Sequence, residues 1–267
     1  MTESSKPAGA GQATPDLAAV LPGALAAAWG LRERPGKGPK PGLSLHKIVS
    51  AAIKIAAAEG LSAVSMARVA AELGAGTMAL YRYVSSKQEL VTLMVDTAFG
   101  PPPPLPEPDG PDGPAGRWRS ALSHWAWTQR AAMESALWAV LLPLTGPPAT
   151  PNQVAWMEQG LACMLGTGLD ETQKMSVILL VSGYVRNQTI MEAQLMEAVR
   201  SSGRTDQEAM ADYGRLMGLL VDRHRFPELT KVIDSGILSK ADDMADEFEF
   251  GLARILDGIS ALVDSLT

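Results

Sequence analysis

The chain has 267 residues, of which 46% are hydrophobic and 19% are charged, and its formal net charge is −6 at pH 7. This length allows two domains with sizeable cores, and the single cysteine, Cys163, excludes a disulfide framework and favours a reducing cytoplasm. There is no apolar run of about 18 residues, no signal-peptide pattern and no strand-like alternation, so we expect an all-α protein without a membrane span.

Residues 1–43 are predicted to form a flexible N-terminal extension. The first part is small and polar, a composition typical of disorder. Residues 16–31 are rich in Ala and Leu but broken by Pro22 and Gly23, so they predict short helical turns or no stable structure. The last part, RERPGKGPKPG, is either a basic arm that contacts DNA or a plain linker. Its basic residues are Arg32, Arg34, Lys37 and Lys40.

Residues 44–99 predict a helix-turn-helix domain. The apolar residues of SLHKIVSAAIKIAAAEG recur with a period of about 3.6, which predicts a helix over Ser44–Glu59 that ends at a glycine. In SMARVAAELGAGTMALYRYV, Ser65 can cap a short helix, and Gly74 permits a tight turn into a second one. The segment SSKQEL then begins the next helix with a capping box.

An ordinary αα-hairpin inside a bundle would explain the same residues. The outward face of the second short helix favours DNA, because it carries Thr77, Met78, Arg82 and Tyr83, which suit phosphates and base edges. The charge distribution agrees with this interpretation. Residues 31–99 hold nine Lys and Arg against five Asp and Glu, whereas residues 100–267 hold thirteen against 22.

Four motifs in order, AAAEGL, VAAELGAG, LYRYV and SKQEL, resemble the DNA-binding domain of the tetracycline-repressor (TetR) family. The resemblance implies a regulator of double-stranded operator DNA, usually a repressor, that acts as a homodimer and is released by a small ligand. It implies base contacts by Thr77, Met78 and Arg82. The phosphate contacts that it implies are Ser44, Ser65, Arg68, Tyr81, Tyr83 and Lys87.

A proline-rich connector, PPPPLPEPDGPDGPAG, over residues 100–116 separates this domain from an all-helical ligand-binding and dimerisation domain at residues 117–267. Within the latter, residues 175–185 are apolar almost all round, which predicts a helix buried on most sides. The aromatic and methionine side chains of this domain form either plain core or an apolar ligand pocket. The pocket candidates are Trp125, Met133, Trp138, Trp156, Met164, Tyr184 and Asn187.

The last predicted helix, residues 242–262, has a wide apolar stripe that packing within one chain explains only in part. Its segment DEFEFGLARILDGI resembles the helix that pairs with its two-fold mate in the tetracycline-repressor-like body. The resemblance implies interface residues Phe248, Leu252, Ile255, Ile259 and Leu262. A two-fold dimer would place two reading helices in major grooves about 34–36 Å apart, so we expect a pseudo-palindromic operator.

No enzyme motif stands out in the sequence. There is no zinc-ligand spacing, no phosphate-cradling glycine loop and no nucleophile elbow. Cys163 lies in an apolar helix, which favours an inert thiol over a nucleophile. We therefore predict no catalytic residue, no metal ligand and no cofactor. The alternatives are a helical small-molecule-binding protein or scaffold dimer without DNA binding and, least favoured, a helical enzyme.

Overall fold

The structure is a computed structural model that describes residues 21–31, 43–106, 114–143, 146–240 and 244–266. Within these ranges every regular element is a helix, which confirms the all-α class. No helix in them combines the length and hydrophobicity needed to cross a bilayer. Contacts divide the chain into two compact units: residues 1–97 with 148–151, and residues 98–147 with 152–267.

The first unit is built around the predicted helix-turn-helix. A 3₁₀ turn, Leu61–Ala63, joins its second and third helices. In the described residues, its helices are α1 (Gly23–Ala28), α2 (Leu45–Glu59), α3 (Met66–Glu72), α4 (Thr77–Leu80) and α5 (Lys87–Phe99), whose last two residues fall in the second unit.

Local hydrogen bonds explain where these helices begin. The Ser44 hydroxyl accepts from the N–H of Lys47 at 3.2 Å, and the Ser65 hydroxyl accepts from the N–H of Arg68 at 3.1 Å. Gly74, between α3 and α4, has φ +60°, a conformation that glycine adopts without steric cost. The predicted cap at Ser65 and the turn glycine are therefore confirmed, and Ser44 is a further cap just before α2.

The cap of α5 differs from a simple capping box. The Ser86 hydroxyl accepts from the N–H of Glu89 at 3.1 Å, as predicted. The Glu89 carboxylate, however, accepts from the N–H of Ser85 at 2.7 Å rather than from Ser86 itself. The pair still satisfies two backbone donors at the start of the helix.

Helix α1 is one of the two alternatives that the sequence left open for residues 16–31, and it corrects the prediction that residues 1–43 are flexible throughout. Ala26 is fully buried, and the indole N–H of Trp29 donates to the carbonyl of Ala149 at 2.9 Å. This bond fastens α1 to residues 148–151 within the first unit. Residues 1–20 and 32–42, which include the predicted basic arm, lie outside the described residues.

The second unit contains the remaining helices. Capping boxes begin two of them, at Asp170 with Gln173 and at Thr205 with Glu208, as the sequence predicts. A 3₁₀ turn, Ile237–Ser239, precedes the last helix. The described helices of this unit are α6 (Pro114–Glu134), α7 (Leu137–Val140), α8 (Pro151–Cys163), α9 (Glu171–Ser202), α10 (Asp206–Leu220), α11 (Pro227–Asp234) and α12 (Met244–Asp264).

The core of the second unit lies between α6, α8, α9 and α12. One close approach is at Gly160 of α8, where an added Cβ would lie 2.6 Å from Ile178 and 2.8 Å from the ring of Trp125. Only glycine fits this crossing without displacing a neighbour. Further core residues are Trp118, Leu122, Val177, Val181, Val185, Phe248, Leu252 and Leu256.

Part of the proline-rich connector is fixed to α8. The indole N–H of Trp156 donates to the carbonyl of Gly100 at 3.0 Å. The side-chain amide of Gln159 donates to the carbonyl of Pro103 at 2.6 Å. Helix α6 begins at Pro114, earlier than predicted. Proline fits in the first turn of a helix, because the N–H groups there have no partner within the helix. The connector is therefore shorter than the predicted residues 100–116.

Candidate DNA interface and ligand cavity

Helix α4 turns a polar and aromatic face outward. Leu80 and, just after the helix, Val84 are fully buried and hold α4 against the first unit. On the other side, 78% of Met78 and 44% of Tyr81 are exposed, and Arg82 is also exposed, whereas Thr77 is half-buried. The predicted base-contacting residues thus lie on or next to one four-residue helix.

Two cations beside this helix are uncommitted. Arg82 and Lys87 are exposed, and neither side chain forms a hydrogen bond or ion pair with another residue in the described part of the chain. The Ser44 and Ser65 hydroxyls accept in their caps and can still donate. Helix N-termini favour anions, so both serines suit phosphate contacts.

Arg68, in contrast, is committed within the first unit. Its guanidinium forms ion pairs with Glu59 at 2.9 Å and Glu72 at 3.0 Å. These two carboxylates, Glu59 foremost, raise the pKa of Arg68. The phosphate contact predicted for Arg68 stays a prediction, and a phosphate there would compete with both carboxylates for the guanidinium.

Tyr83 also has a partner in its own chain. Its hydroxyl donates to the carbonyl of Leu43 at 3.1 Å, and its side chain is half-buried. The donor predicted to meet a phosphate instead fastens the backbone that enters α2. Of the two tyrosines, only Tyr81 is therefore exposed on the outward face of α4.

The predicted ligand-pocket residues differ in burial. Trp125, Trp156 and Met164 are buried in the core, where the Trp125 indole donates to the Trp156 carbonyl at 3.1 Å. Asn187 is exposed and bonded to Met191. The remaining three, Met133, Trp138 and Tyr184, are half-buried. The three buried side chains fill the core between the helices, and a ligand contact by any of the seven residues stays a prediction.

A cavity of about 490 Å³ lies elsewhere in the second unit. It is bounded by the C-terminal half of α9, the first turns of α10 and the start of α12. None of the seven predicted pocket residues lines it. Its apolar wall is formed by Leu195, Met196, Val199, Met210, Tyr213 and Met244.

A buried arginine supports one wall of this cavity. Arg130 of α6 pairs with Glu192 of α9 at 2.7 Å and with Glu134 at 2.6 Å, and its guanidinium lies 4.6 Å from the Phe248 ring centre. It also donates to the carbonyl of Met244 at 3.4 Å. A buried charge needs such partners, so Arg130 fixes α6, α9 and α12 together.

The sequence analysis missed Arg130, although a signal was present. Arg130 lies eight residues after Leu122 and four after Ala126, and both are buried in the structure. Residues at this spacing share a helix face, so the arginine falls on the apolar stripe of α6. Glu134, four residues later, is the partner that this spacing indicates.

The predicted dimer residues divide into two groups. Phe248, Leu252 and Ile259 are buried inside the second unit, which corrects their assignment as interface residues, because side chains that fill the chain's own core cannot contact another copy. Ile255 is half-buried, and 37% of Leu262 is exposed.

The outer sides of α9 and α12 are instead apolar and uncovered. On α9, 69% of Leu179 and 53% of Leu180 are exposed, and on α12, 61% of Phe250 is exposed. Gly183 and Gly258, on the same exposed sides, have nothing within 4 Å of an added Cβ. Residues 175–185 were predicted to be buried on most sides, and this is wrong for the face that carries Leu179.

Neither metal nor thiol chemistry is indicated in the described residues. They contain no group of three or more His, Cys, Asp and Glu side chains suited to a metal ion. Burial raises the pKa of the Cys163 thiol to about 12, and the thiol donates to the carbonyl of Gln159 at 3.3 Å. The thiol is therefore protonated at neutral pH and is a poor nucleophile.

Family models match both units of the chain. The model for bacterial regulatory proteins of the tetR family matches residues 48–94. The model for the tetracyclin repressor-like C-terminal domain matches residues 110–263. The first match spans the segment that carries α4, and the second spans the cavity.

Curated relatives share this organisation. The HTH-type transcriptional repressor DrrR1 of Streptomyces coeruleorubidus is 37% identical over 243 residues, which cover 88% of this chain and 84% of that protein. An HTH-type transcriptional regulator of Saccharopolyspora erythraea is 32% identical over 163 residues, covering 61% of this chain and 66% of that protein.

Solved structures agree with the fold. ActR of Streptomyces coelicolor in complex with actinorhodin has a TM-score of 0.67 at 25% identity, covering 85% of this chain and 99% of that one. The complex of ActR with (S)-DNPA has a TM-score of 0.64 at 26% identity, covering 83% and 99%.

Proposed function

The chain belongs to the TetR family of bacterial transcriptional regulators, and from this membership we infer how it acts. It is a sequence-specific DNA-binding regulator and not an enzyme. We propose that it represses transcription as a two-fold dimer on a pseudo-palindromic operator until a small ligand releases it. Its place of action is then the bacterial cytoplasm, where the DNA lies.

The observation that carries the proposal is the outward face of α4. Met78, Tyr81 and Arg82 project from a helix whose other side is anchored by fully buried side chains. Arg82 reads a guanine edge, and the Met78 thioether and the Thr77 methyl contact thymine methyl groups. Tyr81 and Lys87 contact phosphates and set the position of the helix on the duplex.

Dimerisation is supported by what a single chain leaves uncovered. One short helix reads only a few base pairs, too few for useful specificity. The uncovered apolar sides of α9 and α12, marked by Leu179 and Phe250, are costly to leave in water. A second copy that packs on them buries this surface and supplies the second reading helix.

Release by a ligand is supported by the relatives and by the cavity. ActR forms complexes with two small molecules, actinorhodin and (S)-DNPA. The cavity of about 490 Å³ in the second unit lies within the range of about 300–1,000 Å³ typical of small-molecule sites. A ligand lowers operator affinity only if it prefers the unbound geometry, with a coupling free energy of about 1–3 kcal/mol.

Selection of bound sequences from a random duplex pool, using the full chain, tests this function. We expect an enriched motif with two related half-sites, bound far more tightly than a shuffled duplex of the same composition. Affinity for both duplexes should fall as salt rises, because bound phosphates release counterions. A pool without enrichment after several rounds at low salt would overturn the assignment.

A further inference from the structure

The chemistry of the cavity between α9, α10 and α12 suggests which ligands it accepts. Most of its wall is apolar, with methionine side chains at positions 196, 210 and 244 and the ring of Tyr213. Methionine adapts its shape and makes favourable contacts with aromatic faces. Such a wall suits the hydrophobic body of a small organic molecule.

The charges around this wall are unequal. Three carboxylates, those of Glu192, Asp206 and Glu247, line the cavity together with one ammonium group, that of Lys240. Glu192 is offset by Arg130 at 2.7 Å. The carboxylates of Asp206 and Glu247 form no hydrogen bond or ion pair with any residue that the structure describes. Two uncompensated carboxylates therefore face one ammonium.

The walls that carry these charges are held in place. Arg130 ties Glu192 and the start of α12 together. On the opposite side, an added Cβ at Gly214 of α10 would collide with Ser239, so the 3₁₀ turn lies directly against α10. The amide of Gln207 donates to the Ser239 carbonyl at 3.1 Å, which fixes the backbone just before Lys240. The cavity is thus largely preformed.

Building on the ligand-released function proposed above, we propose that this cavity is the ligand site and that its ligand is an apolar organic cation, a ring system that carries positively charged nitrogen. The hydrophobic body contacts the methionine-rich wall, and the charged nitrogen lies near Asp206 and Glu247. An organic anion of the same size would make the same apolar contacts but would meet two like charges and only one ammonium group there.

Two xanthene dyes of opposite charge test the proposal. Rhodamine 123 is a cation and fluorescein is an anion at neutral pH, and both have the same fused ring system. We would titrate the full chain into each dye at about 0.15 M salt, without DNA, and follow fluorescence anisotropy. We expect rhodamine 123 to bind at least about tenfold more tightly than fluorescein, an energy difference of about 1.4 kcal/mol.

Substitutions locate the site and separate contact from net charge. Asp206→Asn and Glu247→Gln should each weaken rhodamine binding about three- to fivefold, because each removes one partly exposed ion pair. Glu197→Gln removes an exposed carboxylate of α9 that does not line the cavity, and it should change affinity less than twofold. Ala209→Phe fills the cavity and should abolish binding, with an unchanged circular dichroism spectrum as evidence that the variant folds.

Three results would overturn the proposal: tighter binding of fluorescein, equal effects of Glu197→Gln and Glu247→Gln, or no binding of either dye.

Operator binding measured on the same preparation separates failure of the ligand proposal from failure of the proposed function. Intact operator binding without dye binding refutes only the ligand class. Loss of operator binding in the unmodified chain refutes the regulator itself. If the chain binds both the operator and rhodamine 123, the dye should weaken the operator complex. The Glu247→Gln variant should then require about three- to fivefold more dye for the same effect.

Discussion

At the scale of single residues, Arg82 and Lys87 are exposed cations only five positions apart, yet we expect them to contact DNA in different ways. Arg82 follows the reading helix and offers a planar fork that matches guanine N7 and O6. Lys87 is the first residue of α5 and offers a point charge next to a helix N-terminus. The first should determine which sequence is bound, and the second should determine how tightly any sequence is bound.

Replacing each with alanine tests this division. Arg82→Ala should cost about 1–3 kcal/mol on the operator and relax the preference at one base pair of each half-site. Lys87→Ala should weaken operator and shuffled DNA alike and lower the salt-dependence slope by about 1 for each protomer. Titrations of both duplexes at three salt concentrations measure both effects. A uniform loss for Arg82→Ala, or a base-specific loss for Lys87→Ala, would contradict the assignment.

Cys163 supplies a second prediction at this scale. Burial raises the pKa of its thiol from 9.0 to about 12, so the native thiol reacts only in its rare ionised form or after opening. At pH 8 a thiol reagent should label the native chain about 1,000-fold more slowly than the unfolded chain. Because the unfolded thiol ionises first, the free energy of unfolding is unaffected below pH 9 and should decrease as pH rises from about 9 to 12.

This labelling is unambiguous because the chain has no other cysteine. Stopped-flow absorbance in native buffer and in denaturant gives the two rates. Rapid labelling of native protein that remains folded by circular dichroism would show that Cys163 is accessible.

At the scale of helices, Gly160 sets how closely α8 approaches the core. Gly160→Ala should destabilise the second unit by about 1–3 kcal/mol, because its new methyl group overlaps Ile178 and Trp125. Gly218→Ala, in the last turn of α10, is the matched control. Its nearest neighbour lies 4.0 Å away, so it should not destabilise and should stabilise by at most about 0.5–1 kcal/mol. Urea unfolding followed by tryptophan fluorescence distinguishes the two, and equal shifts would refute the close crossing.

The sequence predicts the helices well because their signals are local. Ser65, Gly74 and the Asp170 capping box each specify a helix end within four residues. Faces are harder to predict, since α9 is apolar on two sides and hydrophobicity alone cannot tell which side meets the core. Leu179 therefore resembles Val181 in sequence and differs from it completely in exposure.

The two candidate sites were predictable to different degrees, because only patterns within a short segment can be recognised in the sequence. The outward residues of α4 follow from one short segment, so Met78 and Arg82 could be identified. The cavity combines residues from α9, α10 and α12, which are far apart in sequence, and no local pattern marks it. Arg68 shows another limit of sequence-based prediction. Its partner Glu59 lies on the preceding helix, so their ion pair forms only when the two helices pack together.

At the scale of the whole molecule, assembly through α9 and α12 can be tested with one charge. Leu179→Arg places a guanidinium on the uncovered side of α9. If two copies bury this side, each unpaired charge costs several kcal/mol, and the dimer dissociation constant should rise at least about 100-fold. Sedimentation velocity measures the dissociation, and operator affinity should fall with it.

Leu165→Arg is the control for that experiment. Leu165 is 68% exposed and follows α8, outside the two apolar sides. The control should leave both assembly and operator binding unchanged. If Leu179→Arg remains as dimeric as the control, the proposed interface is wrong.

Helix α9 has 32 residues, which corresponds to a length of about 48 Å. Its first half contributes Val177 and Val181 to the core and Leu179 to the uncovered side, and its second half contributes Leu195 and Val199 to the cavity. In the mechanism that we propose, substitutions that alter ligand choice therefore lie several turns away from those that alter self-association. After gene duplication, two such chains can come to bind different ligands while their dimer surfaces stay the same. The two products can then form mixed dimers.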